Sequence, residues 1–427
     1  MPATVCAGQD NGVHFPKHHY QHDCRITPRT GRVTFSRGEG GYTMRNDSSQ
    51  FELSRRDFAK ASALAGFAIL SARPSLGQSA EAVKVGLIGC GGRGFGAVMN
   101  CITGVDNVKI TALADVFEEK LKDCRSKLEG IKDPKLAGKI ALTDETCFAG
   151  LDAYEQLLKT DVQVIIHATP PYARPVHIEA AVKAGKHIFT EKPIAVDPVG
   201  VRQFMAAARE AEAKGLCLVA GTQRRHQKSY RDTIARIKDG AIGEILAGRA
   251  YWNGTLPFSH ERKPGESDLA YRLRNWYNQC WTCGDNIVEQ HIHNLDVINW
   301  VLGAHPVRVV ASGGRAWKPA IEKYGDIWDN FTCDFEYPNG VHVLSMSRHW
   351  DNCANDVFEE VTGTKGKSRC NDMAKDDIDP YVQEHIDLHA AIRGEAPYIN
   401  EGIQVAESCL TAIMGRMAAY TGQVLTW

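Results

Sequence analysis

Three side chains in this sequence have the types needed to move a hydroxyl proton: Lys192 in TEKPIA, and Glu289 and His293 in GDNIVEQHIHNLDVINWVLG. A secondary alcohol releases hydride only as its hydroxyl proton leaves, since otherwise a cationic carbonyl would form. The reaction therefore needs a base within ~3 Å of that hydroxyl, with a pKa near the working pH. A lysine amine can serve, an imidazole with an ordinary pKa of about 6.5 can share or relay the proton, and a carboxylate can hold the imidazole in orientation. In reverse, the same groups protonate the nascent alkoxide. The spacing of Ile287, Val288, Ile292, Leu295, Val301 and Leu302 predicts a single helix. On it Glu289 and His293, at i and i+4, share a face, with Asp296 a further turn along. His291 and His293 would point about 200° apart on such a helix, so no metal site is expected. A lysine alone is more often a solvated surface group, and its meaning depends on the elements that place it.

Those elements begin with AVKVGLIGCGGRGFGAVMN. Val83–Ile88 reads as a short buried strand, followed at once by Gly89, Gly91 and Gly94 in GxGxxG, with Cys90, Gly92 and Arg93 between them. The first glycine permits the tight turn, the second lets backbone approach a pyrophosphate, and the third lets helix pack on strand. A second apolar strand, Val108 to Ala114, ends in Asp115. A carboxylate there accepts hydrogen bonds from the adenosine ribose and repels a 2′-phosphate, which points to NAD rather than NADP; a plain helix N-cap is the other reading of Asp115. Val162–Ala168 reads as a strand closing on Thr169-Pro170-Pro171, His177–Ala184 as a helix, His187–Phe189 as a strand, and Gly215–Ala220 as the last strand of this half. Such alternation predicts right-handed βαβ units and a doubly wound parallel sheet, with ligands beyond the carboxyl ends of its strands. Ala168, Thr169, Pro170, Pro171, His177, Glu191 and Lys192 are therefore cofactor-binding candidates with the glycine loop and Asp115.

The run AGKHIFTEKPIA, together with the glycine loop and ATPP, resembles the Gfo/Idh/MocA oxidoreductases, which include glucose–fructose oxidoreductase and inositol dehydrogenase. The resemblance extends from Val83 to the C-terminus. It implies that Lys192 is catalytic and that the following proline sits in a cis peptide, aiming the lysine at the nicotinamide. It also implies a histidine on the reacting hydroxyl, which maps onto His293. The family pattern there is Asp-x-x-x-His, and this chain has Glu289 in place of the aspartate. The resemblance further implies that Gln223 and Arg225, in a QRR-type stretch, line the cleft, Gln223 toward the cofactor and Arg225 toward the substrate. Asp296 and Trp276 are further substrate-binding candidates. Tyr277, Trp281, His349 and Trp350 are other candidates for a sugar-binding wall, each of which fits core or surface equally well.

Beyond Gly221 the pattern changes to strands in succession. Glu244–Tyr251 and Val307–Ala311 have β composition, and Phe331–Tyr337 with Val341–Ser347 reads as a hairpin around Pro338-Asn339-Gly340. Ile403, Ala406, Leu410, Ile413 and Met417 predict an amphipathic helix. The expected architecture is a Rossmann domain over 83–221 and an α+β domain over 222–427. The resemblance implies that the second carries an open, mostly antiparallel sheet whose outer face makes a homodimer or homotetramer contact.

With 427 residues and a net charge of −1, from 50 basic against 51 acidic side chains, the chain shows no nucleic-acid or membrane-surface footprint, so the partner expected is a small molecule. Thirteen cysteines without regular spacing are no disulfide framework, and Cys280-Trp281-Thr282-Cys283 reads as chance spacing. Three functions fit. The leading one is hydride transfer between NAD and a secondary alcohol of a sugar, polyol or sugar derivative. The second is a redox-neutral glycosidase using bound NAD, although the glycosidase branch of this fold lacks EKP. The third is a non-catalytic NAD or sugar sensor, which has no need for both Lys192 and His293.

Residues 1–43, with His14, His18, His19 and His22, read as an upstream extension, untranslated or disordered, with Met44 as the start. Residues 44–82 then resemble a twin-arginine signal: Arg55-Arg56, Phe58 and Lys60, an apolar run over Ala61–Ala72, and a small-residue tail near Ser79-Ala80-Glu81-Ala82. The apolar run is too short for a stable membrane anchor, which needs ~20 residues. Export to the periplasm, with the cofactor carried inside an already folded protein, is the expectation; a cytoplasmic location is the alternative.

Overall fold

The computed structural model describes residues 81–427. The histidine-rich extension, the start at Met44 and the twin-arginine leader up to Ala80 lie outside the described residues.

Strands β1 (Val83–Ile88), β2 (Val108–Asp115), β3 (Cys147–Ala149), β4 (Val164–His167), β5 (His187–Thr190) and β6 (Leu218–Ala220) form a six-stranded sheet in the order β3-β2-β1-β4-β5-β6. Every neighbouring pair is parallel. All but the edge strand β3 are largely buried on both faces, which is why they read as apolar runs rather than as alternation. The order reverses between β1 and β4, and at such a switch point the loops splay apart and leave a crevice. The helix expected from His177 starts earlier, at Arg174, and runs to Lys183.

The second sheet has seven strands, in the order β12-β11-β7-β10-β9-β8-β13. Its members are β7 (Ile245–Gly254), β8 (Arg308–Gly314), β9 (Asn330–Glu336), β10 (His342–His349), β11 (Asp356–Gly363), β12 (Gly366–Ser368) and β13 (Leu425–Thr426). The β9–β10 pair is the expected antiparallel hairpin, while β7 and β10 run parallel, so the sheet is mixed and mostly antiparallel. One buried cluster joins the two sheets, running from Ile188 and Phe204 through Ile287, Val288 and Ile298 to Phe331, Phe335 and Ile413. The chain end also returns to the first sheet. Leu388 and Ile392 of the Pro380–Arg393 helix pack with Val85, Leu87 and Ile102, and Leu218 N–H donates to the Ile399 carbonyl.

The single helix expected across Ile287–Leu302 is two helices, Asn286–Glu289 and Ile292–Leu302, parted at Gln290-His291. The hydrogen bonds give the cause. In an unbroken helix the Glu289 carbonyl would accept from His293 N–H. Here it accepts from Lys192 Nζ at 2.6 Å, and His293 N–H turns to the Gln290 carbonyl at 3.4 Å. His291 N–H reaches back five residues to Asn286, the bond of a π-bulge.

Candidate active site

A cleft of about 810 Å³ lies at the switch point, walled by the loops after β1, β2, β4 and β5 on one side and by the Phe258–Gln290 region on the other. Gly89 has φ +101°, and a Cβ there would stand 2.6 Å from the Ala168 carbonyl carbon, so only glycine lets the first loop close against the β4 loop. A Cβ on Gly94 would fall 1.8 Å from the Gly89 carbonyl oxygen, whereas one on Gly91 would meet no protein atom within 4 Å. Gly94 thus serves helix–strand packing, and Gly91 keeps free space on the cleft side, as a pyrophosphate cradle requires. Asp115 lines the cleft at the end of β2. Its carboxylate accepts from Cys90 N–H at 2.7 Å and Phe117 N–H at 2.8 Å, and burial raises its pKa against the pull of those two donors. It caps the glycine loop rather than the helix that follows, which is capped at Phe117.

The β4 and β5 loops are clamped together by Arg174, buried, which donates to the Thr169 carbonyl at 2.7 Å and to the Pro193 carbonyl. His177, in the lining, lies 3.1 Å from His167 and stacks on Tyr154; burial lowers its pKa to about 4. Arg93 donates to Glu191 at 2.5 Å and to Glu384 at 3.3 Å, tying the glycine loop to the EKP loop. A Cβ on Gly221 would stand 2.5 Å from Glu191 Oε2, so glycine at the end of β6 makes room for that carboxylate.

Lys192, Glu289 and His293 all line the cleft and are all buried. The Lys192–Pro193 peptide is cis. Lys192 Nζ donates to the Glu289 carbonyl at 2.6 Å and to Glu289 Oε1 at 3.1 Å. Two of the nitrogen's three remaining tetrahedral positions are thereby filled, and the third is left for a ligand. Glu289 Oε2 has no partner among the described residues. Burial raises the Glu289 carboxyl pKa, opposed by the charges of Lys192 and Arg174. Glu289 was expected to hold the imidazole; it holds the lysine instead. His293 has a buried, unpartnered Nδ1 and lies beside Trp252, with ring centroids 5.9 Å apart. Burial, followed by the charges of Lys192 and Arg224, drives its pKa well below the ordinary histidine value, so the ring is neutral.

Several expected residues stand elsewhere. Arg225 and Asp296, expected to bind substrate, form a buried bidentate pair outside the cleft lining, with bonds of 2.9 and 2.8 Å. Ser408 adds a third hydrogen bond to Asp296 at 2.7 Å. The helix that carries His293 toward the cleft points Asp296 into the packing beside the Gly402–Thr421 helix. Gln223 is likewise outside the lining and donates to Tyr381, which is in it. Cys90, Gly94 and Pro171 stand behind the wall, while Ala168, Thr169, Pro170, Trp276 and Tyr277 are part of it. Trp281, outside the lining, packs on Tyr172, and Trp350 on Tyr324. His291 bonds Ser345 at 2.7 Å, and among the described residues no three His, Cys, Asp or Glu side chains gather as a metal would need. Both cysteines of the CxxC are free thiols. Sequence reasoning missed Arg174, Phe258 and Gln290. Arg174 follows a strand's carboxyl end and was findable by position; the other two sit in loops without a motif.

The family described as the GFO/IDH/MocA oxidoreductase family with NAD-binding Rossmann fold matches residues 83–220, and the GFO/IDH/MocA C-terminal domain matches residues 230–369. Among curated relatives, scyllo-inositol 2-dehydrogenase (NAD(+)) of Bacillus subtilis is 24% identical over 284 residues, which are 66% of this chain and 72% of that one. The 2,7-anhydro-N-acetylneuraminate hydratase of Escherichia coli is 28% identical over 207 residues, 48% of this chain and 50% of that one. In fold, the chain is similar to Lactobacillus casei scyllo-inositol dehydrogenase solved with NAD(H) and scyllo-inositol. The TM-score is 0.61 at 18% identity, covering 81% of this chain and 99% of that one.

Proposed function

Starting from the fact that this chain belongs to the Gfo/Idh/MocA oxidoreductase family and has its NAD-binding Rossmann domain, we propose that it transfers hydride between NAD and a secondary alcohol of a sugar, polyol or sugar derivative. The observation that carries this reading is the bonding of Lys192. Beyond its bond to Cε, Nζ has three tetrahedral positions; two face acceptors on Glu289, the carbonyl and Oε1, so the third is the one left for a substrate hydroxyl. Lys192 takes the hydroxyl proton during oxidation and returns it during reduction. Glu289 orients the lysine and balances its charge once protonated. His293, neutral in its buried position, shares the hydroxyl's hydrogen bond. Bound NAD supplies the hydride acceptor. Gly91 gives room for its pyrophosphate, and the Asp115 carboxylate at the end of β2 favours it over NADP.

The test is to incubate the purified protein with NAD and a panel of inositols, monosaccharides and glycosides, following both nicotinamide absorbance and products by mass spectrometry. The expected result is nicotinamide reduction with at least one member. The likeness to the hydratase supports a second, redox-neutral reading, in which product forms without net nicotinamide reduction. Absence of both signals across the panel contradicts catalysis altogether.

Two further proposals accompany this reading. Leu344 and Val310 flank Asp334 on an exposed face of the second sheet, which supports a homo-oligomer contact there. Light scattering showing a monomer at micromolar concentration would count against it. Export by the twin-arginine route rests on the Arg55-Arg56 leader alone; recovery of the native protein only from the cytosolic fraction contradicts it.

A further inference from the structure

A second hollow, of about 380 Å³, opens beside the cleft and shares Phe258, Tyr277 and Gln290 with it. We infer that this hollow holds a second ring-sized unit of the substrate, so that the alcohol oxidised at Lys192 belongs to a glycoside or disaccharide rather than to a free monosaccharide or cyclitol. The inference rests on the hydride-transfer reading and narrows its substrate class.

The hollow has the chemistry of a sugar subsite. Half-buried Trp252 is part of its wall. Glycine at 254 lets the indole lie against its own strand, because a Cβ there would stand 3.2 Å from Trp252 Nε1. The Trp252 ring lies beside His293 at an interplanar angle of 27°, so one aromatic side chain links the reacting centre to the hollow. An indole offers an apolar face to the C–H side of a pyranose and an N–H to its hydroxyls. Phe258, at the junction of the two cavities, is 47% exposed, a large apolar side chain left in water where a bound ring would cover it.

Polar groups of the lining have capacity to spare. Gln290 Oε1 accepts from the Tyr277 hydroxyl at 3.4 Å, and its amide N–H groups have no partner among the described residues. The exposed Asn355, also in the lining, has no side-chain bond among the described residues. Buried His349 lies in the lining beside Tyr277, with ring centroids 6.2 Å apart. Polar side chains set among aromatic and aliphatic ones suit a small ligand with both C–H faces and hydroxyls, and the volume falls in the range of such pockets. A single ring held at Lys192 would leave the exposed ring of Phe258, the Asn355 side chain and the Gln290 amide N–H groups uncovered. The glycosidic bond takes no part in the hydride step; the second unit contributes binding and orientation.

The experiment compares kcat/KM for matched pairs, each a free monosaccharide and its phenyl glycoside or disaccharide, with myo-inositol as the single-ring reference. The expected result is a preference of about tenfold or more for the glycoside of whichever sugar is oxidised. It should be expressed mainly in KM and abolished by Asn355→Trp, an exposed substitution that fills the hollow. Oxidation of free sugars or inositol at rates equal to or above their glycosides overturns this inference and leaves the oxidoreductase reading standing. A preference that persists undiminished in Asn355→Trp overturns it in the same way. If no member of the panel reduces nicotinamide or yields product, both fall together.

Discussion

Two cation–carboxylate pairs tie Lys192 and Arg225 to the segment over residues 286–302, and they differ in how fully they are bonded. Arg225 and Asp296 meet through two short bonds, and Ser408 supplies a third to the carboxylate. Lys192 and Glu289 meet through one side-chain bond of 3.1 Å and one bond to a backbone carbonyl, with Glu289 Oε2 unpartnered. A buried polar group without a partner is costly, and such groups in folded proteins call for an explanation. The saturated pair is architecture. The pair with unused bonding capacity borders the cleft, where a substrate can complete it. Charge and burial do not separate these two pairs, since both are charged and buried; unused bonding capacity together with a place in the cleft wall does.

This contrast can be broken or sharpened by experiment. Asp296→Ala should give the largest effect. It strands the Arg225 guanidinium in a buried site, and breaking a buried pair costs about 3–5 kcal/mol. Chemical denaturation should show that loss, while the fraction still folded keeps its kcat. A fall in kcat without loss of stability would move Asp296 into the site. His226 offers a second test of a buried ionic contact away from the cleft. Burial opposes its charge, but Glu401 and Asp387 outweigh that and raise its pKa to about 10. A folded-state pKa above the unfolded value of about 6.5 means the native state holds the extra proton. Its contribution is complete below that pH and is lost as pH rises toward 10, with a slope of up to about 1.4 kcal/mol per pH unit. Thermal melts over that window should show the decline, and His226→Gln should flatten it.

In the unsaturated pair, Glu289→Gln keeps the backbone carbonyl on Lys192 but removes the negative charge. The expected outcome is a fall in kcat of at most about a hundredfold with little change in melting temperature. A large loss of stability with unchanged kcat would instead make Glu289 architectural. The smallest effect concerns pH. Because burial lowers the His293 pKa, its ring stays neutral well below pH 6.5, and lowering pH should not cost activity through His293 in the ordinary histidine range. An acid limb centred near 6.5 and removed by His293→Gln would show that the ring is not desolvated during turnover.

The parallel half of the molecule was legible because its rules are local. An apolar strand, a glycine loop with a geometric reason for each glycine, and an acidic residue at the next strand end specify a dinucleotide cleft with few alternatives. EKP marked the lysine. Periodicity misled at Gln290-His291, where apolar spacing predicts one helix but Lys192, distant in sequence, captures the Glu289 carbonyl and breaks the ladder. The same long-range bond explains why the carboxylate expected on His293 sits on the lysine. Asp296 was misassigned because helical spacing places a residue on a face without saying what packs there; Arg225 and Ser408 arrive from distant segments. Of the second hollow only Tyr277 and His349 had been candidates for a sugar-binding wall; Trp252, Phe258 and Asn355 come from separate stretches and converge only in the fold.

The most direct test of the central claim is a single-turnover measurement of nicotinamide reduction in wild type and in Lys192→Ala, on the substrate found by the panel, with NAD affinity and melting temperature measured in parallel. The account predicts that the substitution slows hydride transfer by about 10³–10⁴-fold while NAD still binds and the fold holds. Hydride transfer in Lys192→Ala at the wild-type rate would contradict it.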